Sequence, residues 1–381
     1  MHRVALGWLT WELTESGFWL GAVAFADLFP ALIIGPFAGV WADRFDRVRL
    51  LRYTQIVSGL LAMLLYILVY FDQANVYLLL VIALALGISA SVAQPARLAL
   101  IPALVKPEDI SSAVALGSVI FNTARFLGPM ISAAIIASLD VSYAFLFNTL
   151  TYLIMIYALF TIPVGLHKTN DQRDRHILGE IFDGFAYTFA NPTIRFSILV
   201  ILGVATLGKP VAELLPGFAD AVFDMGPVGL ALMTQAMGVG ALTGGIMLAR
   251  FSTRKQLLPL TLFSFFMTGL LIAGFGLTHN FYVGLGILFL ASMAMSCAGI
   301  CTQTITQQAV REDMRGRVMS TWGLIFRGSP AIGVIIMGTA SEFSSLNTVV
   351  FIGGVICLAA SLLLFFNRPK SIPNVAGTSE L

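Results

Sequence analysis

Apolar residues in this chain come in long runs, with the polar residues gathered into the short gaps between them. The runs cover about Phe18 to Trp41, Leu50 to Phe71, Val76 to Ala96, Ser111 to Ser138, Ser142 to Pro163, Ile194 to Phe218, Pro227 to Ala249, Leu257 to Leu277, Phe281 to Thr304, Val318 to Ala340 and Thr348 to Phe366. A helix rises about 1.5 Å per residue and a bilayer core is about 30 Å thick, so each run predicts one crossing. Lipid offers the backbone no hydrogen bonds, which leaves α-helix as the structure for such runs. Eleven full spans are predicted. A shorter apolar piece, Val4 to Leu13, precedes them and ends against Glu12 and Glu15; it is long enough for about half a crossing.

The gaps sort by charge. Alternate gaps hold Arg44, Arg47, Arg49 and Arg52; Arg97 and Lys106; Lys168, Arg173 and Arg175; Arg250, Arg254 and Lys255; and Arg311, Arg315 and Arg317, and the tail adds Arg368 and Lys370. The gaps between these hold Asp72, Asp140, Asp220, Asp224 and Glu342, with no lysine or arginine. Basic loops resist translocation, so the basic set is expected in the cytoplasm together with the C-terminus. On that topology the first span starts inside and Met1 falls within the bilayer. The expectation is that helix 1 is truncated, its natural start lying about 15 to 25 residues upstream, the length that completes a crossing. A cleaved leader is the competing reading of Arg3 and the apolar residues after it, but no small-x-small site follows. Trp8, Trp11 and Glu12 instead suit the outer interface of a helix end.

The polar low point of the chain is His167 to His176. After it, Ile177, Leu178, Ile181, Phe182, Phe185 and Phe189 recur at helical spacing opposite Glu180 and Asp183, predicting an amphipathic helix on the membrane surface. The halves on either side echo each other. Arg44-Phe45 after Gly39 matches Arg250-Phe251 after Gly245, Glu108 matches Glu312, and Arg125 before Gly128-Pro129 matches Arg327 before Gly328-Ser329-Pro330, at offsets of 206, 204 and 202 residues. Six helices separate the copies, an even number, so both enter the membrane in the same sense and form a parallel repeat. The expected organisation is an N-terminal bundle at 1–165, a linker at 166–192, a C-terminal bundle at 193–367 and a cytoplasmic tail at 368–381.

Composition agrees. Of 381 residues 58% are hydrophobic and 11% charged, against about a quarter charged in soluble domains. A net charge of +2 says nothing by itself about nucleic acid, because in a membrane protein it matters where the basic residues lie, and no nucleic-acid partner is expected. Cys297, Cys301 and Cys357 lie inside apolar runs and are read as packing residues. The histidines form no metal constellation, and no metal or cofactor is expected. Gly238-Val239-Gly240 with Gly244-Gly245 imitates a dinucleotide fingerprint, but no strand precedes it. Gly240 and Gly244, like Gly35 and Gly39, are expected at close helix contacts. No nucleophile elbow, zinc helix or phosphate loop occurs, so the chain does not read as an enzyme or a nucleotide-driven pump.

Between the first two full spans stands G-x-x-x-D-R-x-D-R-x-R, at Gly39, Asp43, Arg44, Asp46, Arg47 and Arg49. This closely resembles the loop between helices 2 and 3 of major facilitator superfamily transporters. Ala5-Leu6-Gly7-Trp8, Glu12-Leu13-Thr14, Gln94-Pro95-Ala96-Arg97 and Gly128-Pro129 are most similar to bacterial exporters of the enterobactin, macrolide or multidrug type. The resemblance implies an all-α membrane protein of two six-helix bundles around a central cavity, in a bacterial inner membrane. It implies a monomeric secondary transporter working by alternating access, here read as proton-coupled efflux of amphipathic small molecules. It also implies that Gly39, Asp43, Arg44, Arg47 and Arg97 latch the cytoplasmic side in the outward-facing state; a plain topological anchor is the alternative. Ala249 stands where the second half would repeat Asp43, so the gate is asymmetric.

Charges inside spans are the remaining candidates, because a charge at the bilayer centre costs about 2.5 to 3.5 kcal/mol and must face a cavity or a partner. Asp27, Arg125 and Arg327 are read as proton or substrate contacts, or, for the arginines, as braces on carbonyls near Gly-Pro breaks. Lys209 and Glu213 are four apart, predicting a pair on one helix face. On helix 10, Gln303 and Gln307 offer uncharged hydrogen bonds. A sugar or lipid carrier, and a membrane scaffold or sensor that moves nothing, remain open readings.

Overall fold

The computed structural model describes residues 2–164, 177–251 and 256–369. The polar segment His167 to His176, Arg254 with Lys255, and most of the expected tail lie outside the described residues. So do the side chains of Gly39, Asp43, Arg125 and Glu180.

Fifteen α-helices follow one another: α1 (His2–Thr14), α2 (Gly17–Leu28), α3 (Pro30–Arg44), α4 (Arg47–Tyr70), α5 (Val76–Ala103), α6 (Ile110–Ser138), α7 (Val141–Thr161), α8 (Ile177–Ala190), α9 (Pro192–Gly203), α10 (Val211–Gly217), α11 (Gly226–Phe251), α12 (Leu257–Leu277), α13 (Phe281–Ala309), α14 (Arg315–Ala340) and α15 (Leu346–Phe366). No β-strand occurs among the described residues. Among the described residues, ten helical stretches are long and apolar enough to cross a membrane, two of them being α2 run on into α3 and α9 run on through α10. The helix α6 is 29 residues long.

Two expected spans are interrupted, each for a local reason. The run from Phe18 to Trp41 breaks at Phe29 because Pro30 has no N–H to continue the ladder. The run from Ile194 to Phe218 carries wide π turns at Val204–Gly208 and Phe218–Val222, which bracket α10 and its Pro210 and Pro216.

The internal repeat recurs in backbone detail. Asn75 caps α5 by accepting the Leu78 N–H at 3.0 Å, and Asn280 caps α13 by accepting the Val283 N–H at 3.1 Å. Short 3-10 turns, Pro107–Asp109 and Glu312–Met314, lead into α6 and α14, and the residues before them, Lys106 and Arg311, share φ −67°.

Turns rich in arginine collect at one end of the helices, the basic end, and turns rich in acids at the other, the acidic end. Toward the acidic end the largest buried cluster joins both halves: Leu6, Trp11 and Leu20 from the first pack with Leu214, Phe218 and Phe275 from the second. Glycine allows the closest crossing there. A Cβ on Gly21 of α2 would lie 2.7 Å from the Val334 carbonyl oxygen of α14, and one on Gly338 would lie 2.6 Å from that of Gly17. Toward the basic end the buried clusters stay within one half. Ala42, Val48, Leu51, Ala96, Leu100 and Leu159 form one, and Ile194, Ile198, Val318 and Trp322 belong to another. Large apolar side chains such as Leu60, Tyr157 and Phe366 point outward, as a lipid-facing rim requires.

Two sequence expectations change, and one is filled in. Trp8 and Trp11 are buried, not at a lipid interface, because Trp11 packs between the halves. Gly240 and Gly244 do lie against α13, at the Phe289 and Met293 carbonyls, but Gly35 faces open space. The helix α8 is tied to the start of α14: Arg317 donates to Asp183 at 3.3 Å, and the Arg311 N–H reaches the Tyr187 hydroxyl at 3.4 Å.

Candidate functional site

The helices α1 and α2 form an antiparallel pair, turned by Glu15 in the left-handed region (φ 47°) and capped by Ser16, which accepts the Trp19 N–H. Counting inward from that turn places Arg3 and Asp27 both about 16 to 20 Å deep, near the middle of a membrane. There Arg3 Nε donates to Asp27 Oδ2 at 2.5 Å. Asp27 is 8% exposed and Arg3 52% exposed, its free side open to a small cavity. Gly87 of α5 presses on the Asp27 backbone so closely that a Cβ would strike its carbonyl. Asp27 is thereby held from below as well as from the side.

Glu213 completes the group from the other half. It lines the same cavity as Arg3 and Asp27, a space of about 20 Å³, roughly what one water molecule needs. The apolar remainder of the lining comes from Leu6, Leu20 and Val23. His2 stands beside the group, both ring nitrogens buried and without a partner among the described residues. One guanidinium thus faces two carboxylates, one in its own half and one across the interface.

The expected Lys209–Glu213 pairing takes another form. From Lys209 to Glu213 the backbone winds tightly, with Ala212 N–H bonded to Lys209 O and Glu213 N–H to Pro210 O. At three residues per turn, positions four apart no longer share a face. Lys209 Nζ instead donates to the Phe326 carbonyl of α14 at 2.8 Å and sits 3.0 Å from the Phe326 ring centre.

At the basic end, Asp46 caps α4 by accepting the Arg49 N–H at 2.8 Å. Arg47 donates to the Ala42 and Ala99 carbonyls, at 3.2 and 3.0 Å, and staples α3, α4 and α5 together. Arg52 donates to the Leu159 and Ile162 carbonyls at the end of α7. Arg97, half-buried, donates to Gln94 Oε1 at 3.0 Å, and Arg44 is exposed. The expected pairing of Asp43 with Arg97 lies outside the described side chains, as does any contact of Arg125. On α13, Gln303 is half-buried and Gln307 exposed, while Arg327 is exposed midway along α14.

Two hydrogen bonds tie the halves across the acidic end. Trp11 Nε1 donates to Asp220 Oδ2 at 2.9 Å, and Ser16 Oγ donates to Glu342 Oε1 at 2.7 Å. Arg3 is the functional candidate that sequence reasoning passed over. Its signal was present, since a first span entering mid-bilayer puts Arg3 in lipid, where it needs an acid on the next helix.

Comparison with known proteins gives a consistent result. A family profile described as "Transmembrane secretion effector" matches residues 1–377. The staphyloferrin A transporter of Staphylococcus aureus is 24% identical over 370 residues, covering 97% of this chain and 92% of that protein. Macrolide efflux protein A of Streptococcus pyogenes is 22% identical, covering 91% and 87%. The enterobactin exporter EntS of Escherichia coli is 26% identical, covering 82% and 73%. Among solved structures, a bacterial homologue of the human lysosomal transporter Spinster, in an inward-facing and occupied conformation, superposes with TM-score 0.72 at 14% identity over 96% of this chain and 92% of that one.

Proposed function

This chain belongs to the transmembrane secretion effector family of major facilitator transporters, and from that premise we propose that it exports small amphipathic molecules by proton-driven alternating access. It is an integral membrane transporter and not an enzyme. In this reading residues 1–165 and 193–367 are the rocking bundles, 166–192 their link, and the basic end is cytoplasmic, with the tail at 368–381 on the same side. Relatives named for macrolide efflux and enterobactin export support the outward direction.

One observation carries the coupling: Arg3 stands between Asp27 of its own half and Glu213 of the other, in a cavity with room for water. With both carboxylates ionised the trio holds a net charge of −1; one proton makes it neutral. A proton taken up by the group neutralises one carboxylate and so changes which of the two the guanidinium holds, the one in its own half or the one across the interface near α10. The hold on Asp27 seen here accompanies a closed acidic end. An ionised carboxylate left alone at this depth costs about 2.5 to 3.5 kcal/mol, enough to bias two conformations about a hundredfold. The acidic-end ties, with clusters that separate toward the basic end, fit a cavity open to the cytoplasm.

The test is flux of a panel of amphipathic dyes of both charge signs through proteoliposomes, with and without an imposed pH gradient. At least one dye is expected to move faster with the gradient, and Asp27→Asn is expected to lower that gradient-dependent component tenfold or more. A panel in which no dye moves would favour a scaffold, and gradient-insensitive flux would favour a uniporter.

A further inference from the structure

A second charged feature lies apart from the Arg3 cavity. Arg327 is at the midpoint of α14, 12 residues from Arg315 and 13 from Ala340, so it is about 18 to 20 Å from either end. Its neighbours in sequence fix which way it points. Gly328 is packed against Leu32 of α3, and the Phe326 carbonyl takes the Lys209 ammonium. Gly328 thus faces the other half, the Phe326 carbonyl is held within its own, and Arg327 between them is exposed. Its neighbour Gly328 places it beside the crossing of α14 on α3 of the other half. Its guanidinium has no ion pair among the described residues, and Arg97 of α5, another cation, is near enough to act on it. Asp27 and Glu213 are engaged at the Arg3 cavity.

A cation held at mid-membrane without a carboxylate is costly unless something anionic visits it. Lys209, of the same half, holds the Phe326 carbonyl next to it. Beside them Trp322 stacks on Phe326, ring centres 4.8 Å apart and planes 15° apart, and the Trp322 Nε1–H is buried without an acceptor among the described residues. A guanidinium fork suits paired oxygens such as those of a carboxylate.

We propose that the cargo is an organic anion, with at least one carboxylate held by Arg327 in the central cavity. This rests on the transport reading above and narrows it, since a cavity that served cationic drugs would not place an uncompensated arginine at its centre. The same feature makes Arg327 a specificity determinant: it attracts anions and repels cations of similar size.

The test measures binding first, by quenching of tryptophan fluorescence in the purified full chain, with fluorescein as an aromatic carboxylate and tetraphenylphosphonium as a cation of similar bulk. Fluorescein is expected to bind, Arg327→Gln to weaken it tenfold or more, and Arg327→Lys to recover part of the loss. Tetraphenylphosphonium is expected to bind Arg327→Gln at least as well as the parent chain. Thermal unfolding of each variant separates lost binding from lost folding, and Arg327→Lys supplies the reading if Arg327→Gln unfolds. Fluorescein binding equally to all three chains, or no fluorescein binding by the parent chain, would overturn the proposal. Flux separates this failure from failure of the transport reading: export of tetraphenylphosphonium alone would sink the anion and leave the transporter, whereas no flux of any dye would sink both.

Discussion

Asp27, the switch residue of the proposed mechanism, is held on two sides. Its side chain meets Arg3, and its backbone is pinned by Gly87. Gly87→Val should lower the unfolding midpoint in detergent, since overpacking of this kind costs about 1 to 3 kcal/mol, and should lower flux with it; an unchanged midpoint would mean that α2 shifts freely. Trp11→Phe should separate the Asp220 hydrogen bond from packing. The ring is kept, the indole donor is lost, and Asp220 can turn to solvent, so the cost should be about 1 kcal/mol. Equilibrium unfolding in denaturant checks this, and a loss of several kcal/mol would assign the tie a larger role. Charge at this scale was only partly legible in the sequence. Asp27, Lys209, Glu213 and Arg327 stood out because acids and bases in apolar runs demand partners, but the partners depend on contacts 24 to over 100 residues away. Arg3 was hidden among residues that also read as a leader.

At the scale of elements, hydropathy read well because lipid leaves so few options for a long apolar run. The positions and lengths of the spans follow from it, and so does α8 as a separate helix after the polar segment. What hydropathy could not register was departure from ideal helix. The break at Phe29 and the π turns around α10 leave apolarity unchanged while altering which residues share a face. That is why Lys209 and Glu213 part company, and why Trp11, read as interfacial, is buried beneath α10. The glycine crossing of α2 on α14 is an element-scale device with a clear expectation. Gly338→Leu should force the acidic end apart, and cysteines at Leu13 and Phe343, both exposed near it, should then cross-link at least several-fold more slowly than in the parent chain. An unchanged cross-linking rate would show that the crossing does not hold the end closed.

The whole molecule is a pair of similar halves whose landmarks recur about 200 residues apart, with buried contacts that join them at the acidic end and separate them toward the basic end. Membership of the transporter family and the Arg3 cluster turn that asymmetry into a working account: the structure is one of two states, and the proton on the cluster selects between them. The native cysteines are all buried, which leaves surface positions free for labelling. Spin labels at Leu13 and Phe343 report the acidic end, and labels at Phe45 and Gly316 the basic end. The most direct measurement is the two distance distributions recorded by electron spin resonance across pH 5 to 9, for the parent chain and for Asp27→Asn. The account expects the two distances to change in opposite senses with pH, one end opening as the other closes, and to become insensitive to pH in Asp27→Asn. Distances that stay fixed, or that lengthen together, would contradict it.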